Sequence, residues 1–113
     1  MVTNENMVIR FRNPKLERMH NGNLCVELTE AGTWESFEGF AEAWTSQIGA
    51  TIRDRVDGPD VRVWRIVYDR YVLRLVYNDY PNGISVEAAD AESNVAIEKL
   101  FSVVSSEAVP NGV

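Results

Sequence analysis

The stretch from Val61 to Asn78 constrains the fold more than any other part of the chain. Val61–Tyr68 and Tyr71–Asn78 are both rich in β-branched and aromatic residues, the composition of strands. If Asp69 and Arg70 make a two-residue loop, Tyr68 opposes Tyr71, Ile66 opposes Leu73, Trp64 opposes Leu75 and Arg62 opposes Tyr77. Those pairs share one large, aromatic face. The other face pairs Val67 with Val72, Arg65 with Arg74 and Val63 with Val76. A slip of one residue would mix the two faces, so the consistency of both specifies the register. A chain holding such a hairpin is built around a sheet. Asp-Arg is not a favoured pair for the mirror-image turns that close two-residue hairpins, which leaves room for a longer loop.

The sheet needs a cover, and Thr33 to Gly49 supplies one. Trp34, Phe37, Ala41, Trp44 and Ile48 step by three and four residues, one helical stripe. Thr33 suits the N-cap and Gly49 the residue just past the end. Glu35, Glu38 and Glu42 form a separate stripe turned away from the aromatics. A second helix is predicted from a cap at Asp90 or Ser93 to about Ser106, burying Ile97, Leu100, Phe101 and Val104.

Shorter strands complete the reading. Leu24–Thr29 alternates well, and Asn21-Gly22 before it is the strongest turn signal in the chain, so Leu16–His20 and Leu24–Thr29 are predicted to form a hairpin. Ala50–Val56 and Ile84–Ala88 read as further strands, separated from the central hairpin by turns at Asp57–Asp60 and Tyr80–Gly83. Met7–Arg12 alternates weakly and is a candidate strand, ended by Pro14. The expected architecture is α+β and two-layered. A mainly antiparallel sheet of four to five strands carries two helices on one face, with the later strands as a meander. The first helix joins strand 24–29 to strand 50–56, a right-handed crossover if the two are parallel. With 113 residues, 45% of them apolar, there is material for one core, expected as a single domain over 7–106 with flexible termini at 1–6 and 107–113.

The run VRVWRIVYDRYVLRLVYNDYPNGISVEA, following an aromatic helix, resembles a family of small proteobacterial proteins carried as a domain of unknown function. That resemblance covers residues 24 to 104 and finds no counterpart for the first 23. It implies a Trp-bearing strand, a tight turn, a second apolar strand and a short acidic strand. The family has no assigned activity, so the resemblance transfers no catalytic residue.

Several function classes fall away. No apolar run approaches the length of a membrane span, and Met1–Glu5 is polar, unlike a signal peptide. Cys25 is the single cysteine, so no internal disulfide forms. A cytoplasmic protein is expected. Seventeen acidic residues against eleven basic ones leave a net charge of −6, which argues against nucleic acid as a partner. The helix–strand–strand–strand–helix order from Thr33 to Ser106 resembles a double-stranded-RNA-binding domain. That fold needs lysines at the start of its second helix, where this chain has Asp90 and Glu92.

Chemistry is equally sparse. His20 is the only histidine, and in the Asn-Gly register it opposes Asn23 while Cys25 opposes Arg18, so no Cys–His pair is expected. Asp54, Asp57 and Asp60 cluster near Gly58, but their spacing is not that of a calcium loop, and Arg53, Arg55 and Arg62 lie nearby to pair with them. No metal, cofactor or catalytic residue is assigned. Trp34, Trp44 and Trp64 each sit on the apolar side of an element, as core residues do.

The exception is the second face of the hairpin. Two helices cover one face of a sheet, so Val63, Arg65, Val67, Val72, Arg74 and Val76 are the candidate binding residues, on a surface left bare. Arg65 opposite Arg74 costs a few tenths of a kcal/mol unless a carboxylate intervenes. The expected function is a non-enzymatic protein-interaction domain, meeting a protein partner or forming a homodimer. The alternative is an acidic inhibitor, such as an immunity protein or nucleic-acid mimic acting through its glutamate stripe. A small enzyme ranks last.

Overall fold

The structure, a computed structural model, describes residues 8–79 and 82–107. Of the expected loose ends at 1–6 and 107–113, all but Glu107 lie outside the described residues, as do Tyr80 and Pro81 of the predicted turn.

The chain forms an antiparallel sheet of six strands, not four or five, with two helices. The elements are β1 (Lys15–Arg18), β2 (Leu24–Thr29), α1 (Trp34–Ile48), β3 (Thr51–Asp57), β4 (Val61–Tyr68), β5 (Tyr71–Asp79), β6 (Asn82–Ala88) and α2 (Asn94–Ser106). The four strands read between the helices are all present, one more than the helix–strand–strand–strand–helix order of a double-stranded-RNA-binding domain. The order across the sheet is β1-β2-β6-β5-β4-β3. Strands β3 to β6 form the expected meander. β2 then pairs with β6, and β1 makes one edge. All neighbours are antiparallel, and the four pairings between β2 and β3 leave those two strands running the same way across α1.

The β4–β5 register is the one read from the side chains, from Val61↔Asn78 to Tyr68↔Tyr71. The loop is the two-residue one. Asp69 and Arg70 sit at φ 51° and 66°, the left-handed conformation that a mirror-image turn demands at both positions.

The β1–β2 register differs by one residue. Arg18 opposes Leu24 and Glu17 opposes Cys25. The Gly22 amide donates to the Met19 carbonyl at 2.9 Å, and the Met19 amide to the Asn23 carbonyl at 2.7 Å. Three residues therefore close the hairpin, a turn followed by Gly22 in the left-handed region at φ 92°. Only one of Asn21 and Gly22 takes positive φ, and the extra residue shifts the pairing.

Residues 8–12 are not a strand of the sheet. Ile9 is instead held by Gln47 of α1, whose Oε1 accepts from the Ile9 amide at 2.7 Å while its Nε2 donates to the Ile9 carbonyl at 3.0 Å. A side-chain amide thus takes the place of a neighbouring strand. Two residues on, buried Phe11 packs edge-on against Phe40 and Trp44.

Both caps of α1 fall where the sequence puts them. Thr33 Oγ1 accepts from the Ser36 amide, Ser36 Oγ accepts in return from the Thr33 amide, and Gly49 closes the helix at φ 79°. In α2, Ser93 occupies the cap position without a side-chain cap bond. It bonds instead with Asp90, and Asn94 Oδ1 reaches across to the Leu24 amide at 2.8 Å.

Helix α1 packs on β3 and β5, and α2 on β1, β2 and β6. They meet in one core that includes Val26, Leu28, Phe37, Trp44, Trp64, Ile66, Leu73, Leu75, Ile97 and Leu100. Trp34, Ile48 and Phe101, expected inside, are partly buried at its margin, as is Ile52.

Candidate functional site

The sheet face opposite the helices is open among the described residues, and strand order decides what it displays. One line crosses all six strands: Glu17, Cys25, Glu87, Arg74, Arg65 and Asp54, from β1 to β3. Beside it runs Lys15, Glu27, Ser85, Val76, Val63 and Val56. On its other side lie Val72, Val67 and Thr51. The face therefore divides. Strands β1, β2 and β6 are polar, with Glu17, Glu27 and Glu87 against Lys15, whereas β3, β4 and β5 carry the valines.

All six candidate residues are on this face, as alternation requires. Arg65 is exposed. Val63, Val67, Val72 and Arg74 are half-buried, while Val76 is 5% exposed. Val56, which the sequence reading left out, joins the patch and is 61% exposed. A bulge in β3 between Ile52 and Asp54 shifts the register after Ile52. It pairs Asp54 with Arg65 and Val56 with Val63.

The facing arginines do not confront each other unrelieved. Arg65 forks to Asp54, with Nε to Oδ1 at 2.9 Å and Nη2 to Oδ2 at 2.7 Å. That fork holds the Asp54 carboxyl below the ordinary carboxylate range. Arg74 turns the other way, to Glu87 Oε1 at 2.8 Å through one Nη, and its buried Nε has no hydrogen-bond partner among the described residues. The carboxylates that relieve the two arginines are on this chain. Asp54, read as a turn carboxylate, serves Arg65, and Glu87 serves Arg74. Glu27 faces Lys15 at 4.0 Å.

Cys25 lies on the polar half and is buried. Desolvation, reinforced by Glu87, Glu17 and Glu27, pushes its thiol up to about 11. Thiolate chemistry is suppressed there, and exposed His20 sits on the turn beyond β1.

A second ionic cluster lies on the helix side. Arg62 is buried with its guanidinium 4.8 Å from the Trp34 ring and 5.1 Å from Trp64. It donates to both Asp57 oxygens and to the Trp34 carbonyl. Trp64 Nε1 donates to Asp57 Oδ1 at 3.0 Å. Every acceptor here is bound by its own chain, so the cluster pins β3, β4 and α1 together. Of the predicted aspartate group, Asp54 and Asp57 are thus separated by their arginines, and no metal-binding group forms among the described residues.

Two open clefts flank the end of β2. One, of about 450 Å³, is lined by Arg12, Asn13, Lys15, Glu27 and Glu30 among others. The other, of about 510 Å³, is lined by Glu27, Glu30, Asn78, Asn82 and Ser85 with Gly83 and Ile84. Neither brings a thiol or imidazole to a carboxylate. No helix of the described residues is long and apolar enough to cross a membrane.

Residues 15–105 match the family described as "Protein of unknown function (DUF3630)". The match takes in β1, which the resemblance over residues 24–104 left out. No curated protein and no solved structure matches the chain.

Proposed function

The chain belongs to this DUF3630 family, whose function is unknown, and we propose that it is a non-enzymatic interaction domain working through the valine half of its open sheet face. The observation that carries this reading is the combination of uncovered valines with arginines already neutralised in place. Val56, Val63 and Val76 make one apolar row and Val67 and Val72 another, on either side of the Asp54–Arg65–Arg74 line, and the area they still expose, least at Val76, buries favourably at about 25 cal/mol per Å² when covered. Docking a surface there need not strand a charge, because Asp54 and Glu87 accompany Arg65 and Arg74. Arginine suits such a place better than lysine, since its planar fork keeps a carboxylate and stacks at once. An unpaired cysteine agrees with a place in the reducing cytoplasm.

The acidic-inhibitor alternative has less to support it. Of the glutamate stripe, Glu38 and Glu42 lie within 3.9 and 3.4 Å of Arg55, which tempers the field a nucleic-acid mimic needs.

The test is the double variant Val67→Glu with Val72→Glu. It should keep the circular dichroism and cooperative unfolding of the parent and lose the assembly that the parent forms, whether with itself or with a protein from its host. An unchanged assembly in the folded variant refutes the reading.

A further inference from the structure

We propose that the valine half is covered by a second copy of this chain, related by a two-fold axis that lies in the interface and runs along β4. This rests on the reading of that face as a docking surface and adds its occupant.

The argument is one of charge placement. A two-fold axis running across the strands would stack the whole face on itself, strand for strand. That brings Glu17, Glu27 and Glu87 of both copies into one contact, six acids against two copies of Lys15. An axis along β4 reverses the strand order instead. It lays β3 on the partner's β5, and it carries the acidic strands β6, β2 and β1 outside the contact. Val56 then meets the partner's Val76, and Val63 and Val67 meet their own copies. Asp54 meets the partner's Arg74, and the same contact recurs reciprocally on the other side, as an isologous interface requires.

Donor capacity fits that pairing. Arg65 uses two donors on Asp54, whereas Arg74 places a single side-chain bond on Glu87 among the described residues. Arg74 therefore has an Nη donor left for the partner's Asp54. Arg65 does meet its own copy on the axis, but each is already forked to a carboxylate. The line Asp54, Arg65, Arg74 and Glu87 is neutral within each copy, so closing the interface gathers no net charge.

The size of the patch sets the strength. Three strands about 4.8 Å apart, up to about eight residues long at roughly 3.3 Å each, present a footprint of roughly 400 Å² per copy. Counted over both copies that is roughly 800 Å², below the range of stable specific interfaces and in that of weak, transient ones, so the dimer is expected to be reversible and concentration-dependent.

The experiment uses the full chain. Sedimentation across a concentration series should show a monomer–dimer equilibrium, abolished by Val67→Glu with Val72→Glu. In a Cys25→Ala background, Val63→Cys should be coupled into a covalent dimer by a short bifunctional thiol reagent. Lys15→Cys, on the overhanging half, should not. A parent still monomeric at roughly millimolar concentration overturns the proposal. So does coupling of Lys15→Cys as efficiently as Val63→Cys, or a dimer that survives the glutamate pair. If the parent is monomeric but the glutamate pair loses a host protein, the second-copy proposal fails and the interaction reading stands. If the pair changes nothing, both fail.

Discussion

Asp57 holds Arg62 through both of its carboxylate oxygens, at 2.9 and 3.2 Å, while Trp64 donates to one of them. Arg62 is 8% exposed, so Asp57 is what makes its burial tolerable. Asp57→Ala should cost about 1–2 kcal/mol, below the cost of breaking a fully buried pair because the Asp57 side chain is 38% exposed. Urea unfolding at neutral pH measures it.

The same pair makes a pH prediction. The Arg62 and Trp64 hydrogen bonds depress the folded-state acidity of Asp57. An unfolded Asp57 binds its proton first as pH falls, so the stabilisation is present above the ordinary carboxylate range of about 4 and is lost below it. Asp54, depressed by Arg65, adds in the same direction. The parent's urea midpoint should fall more steeply than that of Asp57→Asn as pH drops below about 4. Parallel curves would separate Asp57 from acid sensitivity.

Trp44 is fully buried, stacked on Phe40 with centroids 6.0 Å apart and met edge-on by Phe11. Trp44→Ala should cost roughly 3–5 kcal/mol, and Glu42→Ala, on the exposed side of the same helix, no more than about 0.5. Because the buried Trp44 Nε1 has no partner among the described residues, Trp44→Phe removes an unsatisfied donor and should cost well under half of the alanine change.

The turn at Asp69-Arg70 predicts a gain. Arg70 is held at φ 66°, where a side chain is strained and glycine is not. Arg70→Gly should stabilise the fold by up to about 1 kcal/mol, visible as a rise of several degrees in Tm. A neutral or negative result would mean that the Arg70 guanidinium, 5.8 Å from the Tyr71 ring, contributes as much as the strain costs.

Cys25 should resist alkylation. With its thiol near 11, the folded protein at pH 8 should react with iodoacetamide at least about 100-fold more slowly than the urea-unfolded chain. Its burial stabilises fully below the ordinary thiol range, and that contribution is lost as pH climbs towards 11.

What the sequence disclosed follows from how local each relationship is. The β4–β5 register was legible because a slip would have mixed valines with aromatics within a few residues of the turn. The β1–β2 register was not, since β1 is exposed along its length and has no buried side to enforce a phase. Phe11 entered the core through a backbone clamp by Gln47, thirty-eight residues away from Ile9, which no periodicity signals. The six valine and arginine positions were assigned to one face by alternation alone. Their partners were beyond that method. Asp54 needed the bulge in β3, and Glu87 needed the β5–β6 register, which the expected meander alone does not set.

The seam between β2 and β6 has a kinetic consequence. It pairs Cys25 with Glu87 and Val26 with Val86, positions separated by about half the chain, while β3 to β6 join neighbour to neighbour through short turns. Closing a long loop is entropically slower than closing a hairpin, so the meander can form first and β2 must dock late. During synthesis on the ribosome, Leu24, Val26 and Leu28 emerge long before the strand that covers their edge exists. In that interval the free edge of β2 is an unpaired template, and among the described residues the short, charged β1 guards its other flank.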